Sequence, residues 1–147
     1  MQNSGQKIPG YSYGSAELEP SRITLADLER LKISTGFTEE HRKALLLAGD
    51  VLADQTEAIV KQWRSGIIAS IPHLAKHSRT PEGEPIPEYL AKSNLRFQQW
   101  IVDTCTKPYD QDWLNYQQEI AARHTSLKKN KTDGVDSTNW VDRKSVV

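Results

Sequence analysis

A single cysteine, Cys105, stands in the 147 residues. No internal disulfide can form, and that usage points to a reducing, intracellular setting. Long apolar runs are missing: nothing approaches the roughly 18 consecutive apolar residues of a membrane span. The opening residues, MQNSGQKIPG, lack the charged-then-apolar layout of a secretion signal. The expectation is a cytoplasmic protein without a membrane partner. An excess of either charge is missing as well, since nineteen Lys+Arg balance nineteen Asp+Glu. Nucleic acid is therefore not an expected partner. The one basic run, Arg123, Lys128, Lys129 and Lys131, reads as the solvated end of a helix, where cations complement the dipole. There is no glycine-rich phosphate loop, no nucleophile elbow and no paired-carboxylate signature, so no enzyme is expected.

What remains is a globular but lean composition, 37% hydrophobic and 26% charged, with a mean hydropathy of −0.64. Residues 1–22 carry Gly5, Pro9, Gly10, Gly14 and Pro20 and read as an extended arm, with Tyr11 and Tyr13 to pack. Thr24 to Asp27 is a capping-box variant that starts a short helix ending near Gly36. Thr38 caps the next stretch, which runs helical to about Ser70. Leu52, Thr56, Ile59, Trp63 and Ile67 fall on one face of it, and Gly49 and Asp50 mark a possible break. Pro72 ends that stretch, and a loop with a Thr80–Gly83 turn leads to Pro87.

Pro87 suits the first position of a helix. Leu90, Phe97 and Ile101 form the apolar stripe of that helix, with Trp100 beside it. Asp110 caps a last helix whose face holds Trp113, Tyr116, Ile120, His124 and Leu127. No strand pattern emerges, and the fold class is all-α.

His124 is the residue with chemistry to offer. It follows Ile120 by four positions, which places it on the core side of its helix, and neutral imidazole is a good ligand for iron, copper or zinc. By spacing alone, a satisfied core histidine is the commoner outcome. His41 sits in a first turn. His73 and His77 are four apart but have no further ligand at zinc spacing. Cys105 reads as a small core residue.

Several ordered motifs together resemble the protoglobins and globin sensors. Lys7-Ile-Pro-Gly-Tyr-Ser-Tyr-Gly14 looks like their N-terminal arm, and Ala48-Gly-Asp-Val-Leu-Ala-Asp-Gln55 followed by Trp63 like their distal wall. Pro72-His-Leu74 is similar to the loop beyond it. Tyr89-Leu-Ala, Arg96-Phe and Trp100-Ile-Val-Asp-Thr104 look like the distal helix. Tyr109 to Gln117, Glu119-Ile120, Arg123-His124 and Lys128 to Asp133 resemble the proximal helix and the turn after it.

The resemblance implies a globin-like helical fold with an arm and a pre-helix. It implies haem b as cofactor and the diatomic gases O₂, CO or NO as ligands, in a carrier or a sensor. His124 would be the iron ligand, with Trp63, Arg64, Phe97, Ile101, Tyr116 and Ile120 around the cofactor. The pattern commonly has a Tyr after the Trp, where this chain has Arg64. It often has a second His after the proximal one, where this chain has Thr125. The chain also reads one residue longer between Trp63 and Pro72.

Two long helices that close a globin pocket are missing after His124, so residues 23–137 read as a partial globin domain and any homodimer through those helices lies outside it. Residues 138–147 read as an unstructured tail. Asp142–Val147 back-translates as GAT CGG AAG AGC GTC GTG, which matches a common short-read sequencing adapter, so 142–147 read as non-native. The competing expectation is a haem-free helical interaction module that lays its apolar faces on a partner helix.

Overall fold

Several helix starts in this chain are set by side chains that complete backbone hydrogen bonds, as seen in a computed structural model that describes residues 7–125 and 128. Helix α1, Leu25–Thr35, begins at Thr24, whose Oγ1 accepts from Asp27 N while Asp27 Oδ2 accepts from Thr24 N. It ends at Gly36, which takes a left-handed φ of 70° that costs glycine little. Helix α2, Glu39–Leu52, begins at Thr38, where the Nδ1 of His41 accepts the Thr38 N–H at 3.0 Å.

Sequence places a break at Gly49 and Asp50, but α2 runs through both and stops at Leu52. Gly49 serves packing instead. A Cβ there would lie 2.8 Å from Thr106 Cγ2 and 3.0 Å from Cys105 Cβ, so glycine lets α2 lie close against a later helix. Helix α3, Thr56–Gln62, continues into a π-helical turn, Trp63–Ile68, in which Ala69 N donates to Arg64 O. A π turn holds more residues than an α turn. It occupies the segment that reads one residue long.

The turn also shifts the apolar stripe. Thr56 and Val60 are buried, Val60 to 1% exposure, while Trp63 and Ile67 stay 40% and 43% exposed. The expected loop before Pro87 contains a short helix α4, Pro72–Ala75, a 3₁₀ turn at Lys76–Ser78, and the Thr80 turn closed by Gly83 N to Thr80 O at 2.9 Å.

Two helices carry the rest. Helix α5, Pro87–Thr106, starts with Pro87 in its first turn, and Arg42 of α2 donates to the last carbonyls of α5 and to Lys107 O. Helix α6, Gln111–Arg123, is capped by Asp110 Oδ1, which accepts from Trp113 N at 3.0 Å. Leu28, Val60, Tyr89, Cys105, Leu114 and Tyr116 form the buried apolar core. Leu90, Phe97 and Ile101, the expected buried stripe of α5, are only half-buried.

From residue 7 onward the arm forms turns and no helix, and it lies along α5 and α6. Tyr11 donates to Asp103 Oδ2 at 2.7 Å, Arg96 to Pro9 O, Arg123 to Gly10 O, and Ser21 N to Asn115 Oδ1. Among the described residues the fold is all helical, apart from one isolated bridge between Arg79 and Pro85. No helix among them is long and apolar enough to cross a membrane. The expectations for Leu127, for the turn at 129–133 and for the tail 138–147, its adapter-like end included, lie outside the described residues.

Candidate functional site

Helix α6 has two neighbouring faces. Tyr116, Glu119 and Arg123 follow one another at three- and four-residue steps and meet the arm. Trp113, Gln117, Ile120 and His124 do the same on the adjacent face. His124 is the C-cap of α6. Its ring is exposed, not turned into the core as the Ile120 spacing suggests, because the helix ends there and the ring folds back along its own last turn.

Nδ1 of His124 lies 2.7 Å from Ile120 O. A carbonyl can only accept, so Nδ1 carries the proton and donates it. Nε2 is then the nitrogen with the free lone pair, and the ring orientation is held by the hydrogen bond at the other nitrogen, the usual arrangement of a metal-binding imidazole.

A row of aromatic rings runs from the π turn along α5 and reaches α6 at Gln117. Trp63, in the π turn, meets Phe97 of α5 edge-on with centroids 6.4 Å apart, and Phe97 meets Trp100 at 6.0 Å. Trp100 Nε1 donates to Gln117 Oε1 at 3.2 Å, which joins the row to α6 one turn before Ile120. Ile101 and Ile120 are half-buried. On the same face of α6, the indole Nε1 of Trp113 and the amide Nε2 of Gln117 are buried and meet no hydrogen-bond partner among the described residues. Buried donors are rarely left so, and an unmet pair commonly accompanies a functional surface.

Two of the expected site residues stand elsewhere. Tyr116 is buried beneath the arm, its ring 5.4 Å from Tyr11 and 5.3 Å from Tyr13, both edge-on. Arg64 turns away from Trp63 toward α5, where Nε donates to Asn94 Oδ1 at 2.9 Å and Nη2 to Ser93 Oγ at 2.7 Å. Gln117 was not among the expected residues. Its signal was a polar side chain on an otherwise apolar stripe, four residues after Trp113 and seven before His124. Nothing in the sequence marked Ser93 and Asn94 as partners of Arg64.

The arm face is closed electrostatically. Burial pushes the Glu119 carboxyl up, but hydrogen bonds from Lys128 and Arg123 outweigh it and hold the group below its ordinary value. Burial and the bond to Asp103 push the Tyr11 hydroxyl far up, so it stays a donor.

Among the described residues, no three His, Cys, Asp or Glu side chains come together to hold a metal. The described imidazole that keeps a ring nitrogen uncommitted on α6 is that of His124. The family model described as Protoglobin matches residues 24–131, well over half of the chain. No curated protein matches it at a significant level.

Proposed function

The chain belongs to the protoglobin family, and we propose that it binds haem b through His124 and takes a diatomic gas, O₂, CO or NO, as a carrier or sensor rather than an enzyme. The observation that carries this reading is the His124 contact: Nδ1 is committed to Ile120 O, and Nε2 is left as the ligand atom on an exposed ring. When bound, the cofactor supplies an iron that takes a diatomic ligand reversibly. Trp63 and Phe97 offer apolar ring surface that excludes water from the distal side. Ile101 and Ile120 extend that surface along α5 and α6. Trp100 and Gln117 hold the two helices in register through their hydrogen bond.

Titration of the purified chain with haemin tests this reading. The expected result is a Soret band that saturates at one equivalent and shifts with added CO after reduction. His124→Ala should weaken haemin binding at least tenfold and change the band position. A band of the same position and strength in His124→Ala would overturn the assignment. A chain that takes up no haemin would favour the haem-free interaction module instead. The surface such a module would use is α2, where Leu47 and Val51 are 66% and 57% exposed.

A further inference from the structure

Arg64 is the residue that the haem reading leaves over. Its two hydrogen bonds go to neutral oxygens, Asn94 Oδ1 and Ser93 Oγ. A guanidinium has five N–H donors, and the other three meet no acceptor among the described residues. Burial pushes its pKa below the ordinary value, and no carboxylate opposes that shift. A half-buried guanidinium with donors to spare and no anionic partner among the described residues is suited to receive an anion.

Beside this group a cleft of about 460 Å³ opens between α3, the π turn and α5. That is a volume typical of small-molecule sites, which run from about 300 to 1,000 Å³. Val60, Ala91 and Leu95 make one part of its lining apolar, and Lys61 adds a second cation. Glu57 also lines the cleft and offsets one of the two positive charges. The surplus is a single positive charge, which matches a monoanion better than a phosphate dianion.

We propose that this cleft binds a small aliphatic monocarboxylate, its anionic end on the free edge of the Arg64 guanidinium and its hydrocarbon end on Ala91 and Leu95. Arginine suits the role because its planar fork matches a carboxylate. The tether to Ser93 and Asn94 holds the fork in place beforehand, so little side-chain freedom is lost on binding.

The test is calorimetric titration of the full chain, without haemin, using sodium butyrate as the probe. Saturable binding at one site is expected. Butyramide, the neutral analogue, should bind at least tenfold more weakly. Arg64→Gln should weaken butyrate at least tenfold, and Arg64→Lys less than that. Ala91→Trp fills the cleft without touching the guanidinium and should abolish butyrate binding while leaving haemin uptake unchanged. That variant keeps the test decisive if Arg64→Gln fails to fold, and it separates this site from the haem reading. Absence of butyrate binding, equal binding of butyramide, or unchanged binding by folded Arg64→Gln or Ala91→Trp would each overturn the proposal.

Discussion

The two faces of α6 differ in how fully their polar groups are satisfied. On the arm face, Glu119 bonds Arg123 and Lys128, Arg123 bonds Gly10 O and Ser12 Oγ, and Tyr116 is enclosed by Tyr11 and Tyr13. On the adjacent face, Trp113 Nε1 and Gln117 Nε2 have no partner among the described residues and His124 is exposed. The same thirteen-residue helix thus has one side whose polar groups are paired and one on which two buried donors meet no acceptor among the described residues. Stability and function are separable where a fully satisfied network carries the first and unmet groups carry the second.

The sharpest way to break this contrast is to open the arm face. Asp103 is 1% exposed and accepts from Tyr11 and from Gln99. Tyr11→Phe removes one donor and leaves a buried carboxylate half-satisfied, at an expected cost of about 1.5–3 kcal/mol, the range for bonds to charged groups. Urea unfolding measures it. A midpoint equal to the parent's would mean that the arm lies on the helices without holding them.

Acid should act on the same face more gently. The folded Glu119 carboxyl titrates below its ordinary value of 4.5. Its contribution is therefore present above that pH and lost as the pH falls through the lower, folded value. Stability of the parent should fall below about pH 4.5 more steeply than that of Glu119→Gln, as followed by unfolding at stepped pH. Parallel curves for the two proteins would remove Glu119 from the network.

The smallest effect is expected on the open face. In the haem-free chain His124→Ala should change stability by no more than about 0.5 kcal/mol, the scatter of featureless surface substitutions. The same substitution should cost haemin binding at least tenfold. A loss of stability as large as that of Tyr11→Phe would show that His124 belongs to the structural side after all.

Local signals in the sequence were legible where one side chain settles one backbone group. Thr24 with Asp27, Gly36, Pro87 and Asp110 each mark a helix end that the structure shows. Position along a stripe was less legible. Trp63 and Ile67 continue the period of Thr56, but Trp63 opens the π turn and Ile67 lies within it, and both stay part-exposed. Gly49 looked like a break because an isolated glycine in a helix costs about 1 kcal/mol relative to alanine. Only the approach of Cys105 and Thr106 from α5 shows why it sits within a helix. Of the candidate site, Trp63 and Phe97 meet edge-on across two elements, a contact that no periodicity within one helix could give. Tyr116 shares the helical period of Ile120 but lies one step around the helix, where the arm covers it.

By itself the sequence determined the all-helical class, the caps, the unpaired cysteine and the family, because each rests on local chemistry or on an ordered set of motifs. The tertiary structure alone decided which face of each helix is covered. It directed Arg64 to Ser93 and Asn94 and drew Tyr116 under the arm. The physical reason is that helical periodicity places residues on a face but does not say what packs there. That is settled by contacts such as Tyr11 with Asp103 and Arg123 with Gly10, whose partners lie 92 and 113 positions apart along the chain.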